Sequence, residues 1–338
     1  MNASTHTGSS LARSPARKFG WLLRREYWEN RGGFFWAPVI AGIVICALSL
    51  LGALAGSLHI SGMDKPRNLN VDLSETEFAR QMGFIGDGGL LAGVGIVGVV
   101  LGFVVFFYCL GALYDDRRDR SILFWKSLPV SDWLTVASKL VWALLLAPML
   151  AILVGLCIGA VLLLISALMM KLNGMPGSGS MIWHSHPFQV ALNALSIVPV
   201  YAAWSLPTVG WLMLCSAFAR SKPFLWAVLV PILTATLLSW MGALPGISMP
   251  HGTIWYVLGY RGLLSIAPGT WYIDGTLLGR LAATAASNDI DSPADVIGLI
   301  DLSRGWHIFA GADVWIGMAA GAAMIALAIW LRRRRDDA

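Results

Sequence analysis

Charged side chains are scarce in this 338-residue chain: Asp, Glu, Lys and Arg together make up 13% of it, whereas a soluble domain carries about 25%. Hydrophobic residues make up 57%, and the mean hydropathy is +0.68. A soluble globule of this size cannot bury so much apolar surface inside itself. The composition therefore excludes an ordinary soluble domain and predicts a protein whose apolar surface is covered by lipid.

Six stretches contain no Asp, Glu, Lys, Arg or His at all, and each is close to or longer than the roughly 20 residues needed to cross a bilayer as a helix. A soluble core helix could imitate one such stretch but not six. We therefore predict an all-α polytopic membrane protein with six transmembrane helices. The predicted spans lie at about residues 34–58, 89–113, 140–170, 190–218, 223–244 and 312–331.

The basic residues divide unevenly between the two sides of these six spans. Of the 24 Lys and Arg residues, 17 fall on the side that carries both termini and 7 on the other. Because cytoplasmic loops carry the excess of Lys and Arg, both termini are predicted to be cytoplasmic in a multi-pass protein of the cell's inner membrane. The chain then divides into a cytoplasmic N terminus (1–33), a six-span domain (34–331) and a basic tail (332–338). A half-apolar stretch, 254–267, is interrupted by Arg261 and predicts a re-entrant or interfacial helix rather than a seventh span.

Several kinds of chemistry are missing. The charge-free stretches hold no carboxylate or histidine, which proton-coupled transporters and intramembrane hydrolases commonly need. No lysine follows a glycine, so the chain lacks the Gly-Lys pair of a phosphate-binding P-loop. His184 and His186 alone are weak evidence for a metal, and we predict no metal site, no bound cofactor and no catalytic residue. The chain is therefore not expected to be an enzyme; if ATP drives it, another polypeptide binds the ATP.

The segment 19–36 has the composition of a short amphipathic helix at the inner membrane surface. Apolar residues recur at helical spacing, charges lie between them, and tryptophans suit the headgroup layer. A simple membrane-anchoring flank is the alternative to a mechanical role. The residues that we assign to this interfacial helix are Trp21, Leu22, Arg24, Arg25, Glu26 and Trp28.

The loop after the second span, 114–139, begins with charges of both signs and continues into an apolar patch. Pro129 then ends one helix, and Ser131 or Asp132 can cap the next. Exposed aromatic residues with charges around them are typical of protein contacts. The pattern predicts a short helix that projects from the membrane into the cleft of a partner.

This loop resembles that of the permease subunits of ABC-2-type transporters, also called type V ABC exporters. The matching features are the acidic and basic cluster, the turn Ser127-Leu128-Pro129-Val130-Ser131 and the later Lys139. The opening LLRREYWE of residues 22–29 also looks like the start of that family, as does the six-span topology. Arg120-Ser121 stands where many members have Gly-Thr.

The resemblance implies a coupling helix around 119–128 that docks on a separate ABC ATPase. It also implies a homodimer of permeases with two ATPase subunits that hold ATP and Mg, and re-entrant outer helices within 246–313. Charge-free spans would suit an apolar or amphipathic cargo better than a bare ion. The residues implied in coupling are Asp119, Arg120, Ile122, Leu123, Phe124, Trp125, Lys126, Leu128 and Pro129.

The alternative is a membrane scaffold or sensor that recruits a cytoplasmic partner through the same loop without transport. Both interpretations include contact with membrane lipid. The positive charge is explained by topology and anionic lipid, and no nucleic-acid partner is predicted.

Overall fold

The computed structural model describes residues 15–60, 74–119, 131–174, 176–242, 244, 249–272 and 302–335. Within these ranges the chain is helical, with turns between helices and no β-strand. Five helices are long and apolar enough to cross a membrane: Ala16–Gly56, Glu75–Arg118, Asp132–Leu172, Pro187–Phe218 and Ala312–Arg334. By the length and composition of these helices, the described chain is a multi-pass membrane protein. The region predicted as the fifth span forms a shorter apolar helix, Leu225–Met241.

The first half of the chain forms three long helical segments. Helix α1 (Pro15–Arg31) continues through a π-helical turn, Gly32–Trp36, into α2 (Ala37–Ile60). Helix α3 (Glu75–Gly111) is followed by the short α4 (Tyr114–Arg118). Helix α5 (Asp132–Val141) passes through a second π-helical turn, Trp142–Leu146, into α6 (Ala147–Leu172).

The second half contains more interruptions. Helices α7 (Ser178–Trp183) and α8 (Pro187–Ser196) lead into α9 (Val198–Phe218). A π-helical turn, Leu225–Leu229, precedes α10 (Val230–Met241), and α11 (His251–Ile254) precedes a longer π helix, Trp255–Leu264. Two 3₁₀ helices follow, Thr270–Tyr272 and Leu302–Ala310. Helix α12 (Ala312–Arg335) comes last.

Local chemistry explains where these helices begin and bulge. Ser74 caps α3 by accepting a hydrogen bond from the backbone N–H of Glu77, and Ser131 caps α5 by accepting one from Leu134. Of the two caps predicted there, Ser131 or Asp132, the structure uses Ser131. The turns at Gly32–Trp36, Trp142–Leu146 and Leu225–Leu229 each end two residues before a proline: Pro38, Pro148 and Pro231. Proline lacks an N–H and clashes with the carbonyl four residues before it, and the wider π turn relieves both defects.

Glycines allow the long helices to pack closely. Helices α3 and α6 meet where a β-carbon on Gly159 would lie 2.6 Å from the carbonyl oxygen of Leu90. Helices α9 and α12 meet at Gly210 and Gly321, where a β-carbon on Gly210 would lie 2.6 Å from the carbonyl oxygen of Gly321. Small residues let membrane helices approach until their backbones touch. These contacts bring the ends of α3, α5 and α12 together beside α1.

Candidate functional site

Four charged side chains from four different helices are buried together at one end of the bundle. Glu26 of α1 is 1% exposed, Lys139 of α5 is 3% exposed, Arg332 of α12 is 6% exposed and Asp116 of α4 is 8% exposed. Charged residues are almost never buried to this extent unless they are paired. We call these four residues the charge network.

The first half of the network joins α1 to α5 and α3. The Lys139 ammonium nitrogen lies 3.0 Å from Glu26 Oε1. The other oxygen of this carboxylate, Oε2, accepts a hydrogen bond of 2.9 Å from the hydroxyl of Tyr108 on α3. Glu26 therefore fixes the N-terminal helix to two of the long helices from inside the protein.

The second half of the network centres on Asp116. Its Oδ2 lies 3.3 Å from Arg332 Nη1 and 3.7 Å from the Lys139 ammonium, and its Oδ1 lies 4.0 Å from Arg25 Nη2. Arg332 also reaches Asp132 at the start of α5, with Nε 3.3 Å from Oδ1. One carboxylate thus holds cations from α1, α5 and α12, and Arg332 joins residues on both sides of segment 120–130.

Aromatic packing and hydrogen bonds support the same region. The indole N–H of Trp142 donates a hydrogen bond of 2.7 Å to the carbonyl of Leu23. The Trp142 ring stacks on Tyr27 and on Phe34, with centroids 5.6 Å and 5.1 Å away. Trp142 therefore joins α1, and the π-helical turn Gly32–Trp36 that follows α1, to the third long helical segment.

The C-terminal end of α9 is tied to α4. The hydroxyl of Ser216 accepts hydrogen bonds from the backbone N–H groups of Leu113 and Tyr114, at 3.0 Å and 2.9 Å. Arg117 donates to the carbonyls of Ser216 and Ala219. The turn between α3 and α4 is consequently fixed on both sides before the chain enters segment 120–130.

A cavity of about 940 Å³ opens beside the network. Its wall includes both apolar residues and charged ones, among them Glu29, Asp115 and Asp119. No group of three or more His, Cys, Asp or Glu side chains that could hold a metal ion occurs in the part of the chain that the structure describes. The arrangement is a buried set of ion pairs between helices, with an open cavity beside it.

The residues predicted for the interfacial helix divide between two faces of α1. Leu22 and Glu26 are buried against the bundle, and the Arg25 side chain is 16% exposed. Trp21 and Trp28 are exposed on the outer face, where the guanidinium groups of Arg24 and Arg31 lie 5.8 Å and 5.5 Å from their rings. Tryptophan beside arginine suits a membrane surface.

Asp119 is the one residue predicted to couple the chain to an ATPase that lies within the described ranges. It follows α4 directly and lines the cavity. The others lie in 120–130, outside the described residues: Arg120, Ile122, Leu123, Phe124, Trp125, Lys126, Leu128 and Pro129. The sequence did not identify the roles of Tyr108, Asp116 and Arg332. A usable signal was Lys139, a lone cation at the edge of a charge-free stretch that requires a carboxylate partner.

A second buried charge lies in the segment that the sequence interpreted as re-entrant or interfacial. Arg261 belongs to the π helix Trp255–Leu264 and is 5% exposed. Its guanidinium carbon lies 3.8 Å from the centre of the Trp204 ring, Nη1 donates to the Trp204 carbonyl at 3.1 Å, and Nε lies 3.6 Å from Asp313. This ten-residue helix is too short to cross a bilayer, and Arg261 holds it to α9 and α12.

No family model, curated protein or solved structure matches this chain. Its function is therefore argued from its own residues. Three features of the chain bear on its function: the charge network, the long apolar helices and the aromatic residues in the sequence between Asp119 and Ser131.

Proposed function

We propose that this chain is the membrane-spanning permease subunit of an ABC-2-type (type V) ATP-binding cassette exporter, which moves an apolar or amphipathic molecule with ATP hydrolysed by a separate subunit. The observation that carries the proposal is the pairing of Arg332 with carboxylates at both ends of segment 120–130. Asp116 precedes the segment and Asp132 follows it, and both carboxylates pair with Arg332 of α12. A partner that pushes on this segment therefore acts directly on the last long helix.

The network offers a route for that force into the other helices. Asp116 also lies near Lys139, and Lys139 pairs with Glu26 of α1. Ion pairs excluded from water interact strongly, and separating them leaves uncompensated buried charge. The ends of α1, α5 and α12 should accordingly move together when the segment moves.

The proposed assembly has two identical permeases in the inner membrane and two ATPase subunits on the cytoplasmic side, which bind ATP and Mg. Both termini are cytoplasmic in this arrangement, which requires an even number of spans. Leu225–Met241, the fifth apolar helix along the chain, brings the number of spans to six. At 1.5 Å per residue its 17 residues extend about 25 Å, at the lower limit for crossing a bilayer.

The test is ATP hydrolysis by the purified permease with a co-expressed ABC ATPase in lipid nanodiscs. We expect the ATPase to co-purify and to turn over ATP in a vanadate-sensitive way. The variant Phe124→Ala with Trp125→Ala should lower the stimulated turnover at least tenfold, because aromatic anchors carry much of the binding energy of protein contacts.

The matched control is Trp183→Ala with Phe188→Ala, which removes the same two ring types from positions that are 84% and 81% exposed. This variant should keep the stimulated turnover. Full turnover with the Phe124/Trp125 variant would contradict the coupling role of the segment. If no ATPase co-purified and no hydrolysis appeared, the chain would be a scaffold or sensor that recruits a different partner.

A further inference from the structure

A hydrophobic groove of about 320 Å³ lies at the surface of the bundle between α9 and α12. The π-helical turn Leu225–Leu229 and the first residue of α10 form its third side, and we call it the α9–α12 groove. Its outer rim is formed by four exposed side chains: Phe218, Trp226, Val230 and Leu327. None of the described residues that line the groove is charged.

The groove ends on the same side of the bundle as the charge network. Gly317 of α12 meets Pro207 of α9. One turn later along both helices, Gly321 meets Gly210. The two helices are therefore parallel, and their C-terminal ends lie together. This is the end that carries the charge network, since Arg332 of α12 belongs to that network.

Three exposed cations lie around this end of the groove. Arg220 and Lys222 follow Phe218, the last groove residue of α9, within four positions. Arg334 comes three positions after Leu331, which places it on the groove face of α12. Within the part of the chain that the structure describes, no carboxylate pairs with any of these three cations.

Two tryptophans indicate how deep this end lies in the membrane. Trp226 lines the groove, and Trp330 precedes Arg334 by one turn, with the Arg334 guanidinium carbon 4.2 Å from the centre of its ring. Both tryptophan rings are exposed. Tryptophan concentrates at the boundary between hydrocarbon and headgroups, and arginine reaches from there toward the water. The groove is therefore at the depth of acyl chains, and the three cations are at the depth of headgroups.

The charges around the groove favour a lipid over a second copy of the chain. In a two-fold dimer whose axis is the membrane normal, the same face of each copy meets at the interface. The three cations of one copy would then face those of the other, and like charges across an interface oppose association. An anionic phospholipid complements both parts of the surface, because its acyl chain is apolar and its headgroup attracts the cations.

We propose that the α9–α12 groove binds one anionic phospholipid. Its acyl chain lies along Trp226 and Leu327, and its headgroup phosphate lies beside Arg220, Lys222 and Arg334. The lipid belongs to the leaflet on the side of the charge network, which the proposed topology makes the cytoplasmic leaflet. Binding needs only this chain and a bilayer, so it is tested apart from the proposed role in ATP-driven transport.

The probe is a phosphatidylglycerol with a photoreactive diazirine in one acyl chain, added to the full chain without an ATPase in phosphatidylcholine nanodiscs. After irradiation, labelled peptides are identified by mass spectrometry. We expect saturable labelling of 211–218, 226–230 and 327–331. Unlabelled phosphatidylglycerol should compete for this labelling at least tenfold better than the zwitterionic phosphatidylethanolamine, because only the first has a net negative headgroup.

Removing the cations tests the headgroup part of the site. Arg334→Gln should weaken the competition by phosphatidylglycerol about three- to fivefold, which is the contribution of one cation near an anionic headgroup. Adding Arg220→Gln and Lys222→Gln should bring the loss to at least tenfold. The matched control is Arg333→Gln, which removes an exposed arginine one position away on a different face of α12 and should have no effect.

Filling the groove tests the acyl-chain part of the site. Leu327→Trp should reduce the labelling at least fivefold, because the larger ring occupies the groove. The matched control is Leu229→Trp, which changes a similarly exposed leucine that does not line the groove. Equal unfolding temperatures in detergent would show that these variants are folded.

Four results would overturn the proposal. Phosphatidylethanolamine could compete as well as phosphatidylglycerol, Arg334→Gln could behave like Arg333→Gln, or labelling could spread over all lipid-facing helices without saturation. Each of these would mean contact with bulk lipid only. If Leu327→Trp abolished self-association of the chain in detergent and left the labelling unchanged, the groove would be a seat for a second copy.

Discussion

Glu26 has its two carboxylate oxygens engaged by different elements, Oε1 by Lys139 and Oε2 by Tyr108. Its position on α1 directs it away from the tryptophan face and into the bundle. A buried ion pair of this kind adds little net stability compared with apolar residues, but removing one partner leaves an uncompensated charge. The pair therefore fixes the position of α1 more than it strengthens the fold.

We predict that Lys139→Met destabilises the protein. The variant leaves the buried carboxylate of Glu26 without its ammonium partner and removes one of three cations near Asp116. We expect a loss of about 3–5 kcal/mol in the free energy of unfolding. The loss is measured as a lower unfolding temperature in detergent. Glu26→Gln added to Lys139→Met should restore part of the loss, since it removes the carboxylate that has lost its ammonium partner.

Lys171→Met is the matched control, because Lys171 is an exposed lysine at the other end of the same long helix. Its unfolding temperature should equal that of the unmodified protein. An unfolding temperature for Lys139→Met that equals the control would show that the ammonium does not neutralise the two carboxylates.

At the scale of helices, prolines and glycines determine the geometry. The three π turns before Pro38, Pro148 and Pro231 let apolar helices continue where a regular α-helix would be interrupted. Glycines control how closely the helices pack. Helices α3 and α6 approach closely at glycines of both helices, Gly93 of α3 and Gly155 and Gly159 of α6.

We predict that Gly159→Val separates α3 from α6. A β-carbon at Gly159 would lie 2.6 Å from the Leu90 carbonyl oxygen and 2.7 Å from its α-carbon, and backbone atoms cannot move aside as a flexible side chain can. Overpacking of this kind costs roughly 1–3 kcal/mol, which a thermal unfolding measurement detects.

Gly56→Val is the control for this substitution, since Gly56 also lies in a long helix and a β-carbon there meets no atom within 4 Å. It introduces the same β-branched side chain and the same change in helix propensity. Equal unfolding temperatures for the two variants would argue against close contact between α3 and α6.

At the scale of the whole molecule, the number of spans decides on which sides the two ends lie. Five long apolar helices alone would put the ends on opposite sides of the membrane, whereas a spanning Leu225–Met241 puts them on the same side. The charge network adds a structural reason for the second arrangement, because Glu26 of α1 and Arg332 of α12 belong to one cluster.

We predict that both ends are reached from the cytoplasmic side. In a protein with Cys46, Cys109, Cys157 and Cys215 changed to Ala, single cysteines are introduced as Gly20→Cys, Trp183→Cys or Arg333→Cys, all at exposed positions. In intact cells a membrane-impermeant maleimide should label the Trp183→Cys variant alone. After permeabilisation it should label all three variants.

Labelling of the Arg333→Cys variant in intact cells, with the Gly20→Cys variant still protected, would mean that Leu225–Met241 does not cross. Labelling of both would mean that the protein is inverted relative to the positive-inside rule.

That the chain is helical and multi-pass follows from its sequence alone, because hydrophobic length is a property of consecutive residues. The sequence also indicated Ser131 or Asp132 as the cap of the helix that begins there, since a cap acts within one turn. It predicted a full fifth span where the structure has a 17-residue helix. Gly242 and Pro245, which follow Met241 within four positions, are the local signal for this helix end.

Only the tertiary structure decided which side chains meet. Tyr108 and Glu26 are 82 positions apart and Arg332 and Asp116 are 216 apart, so no local pattern joins them. Their contact depends on how each helix is rotated and on how closely glycines let the helices approach. The same packing buries Arg261 against Trp204. Periodicity predicts the faces of a helix, and packing between helices decides what each face contacts.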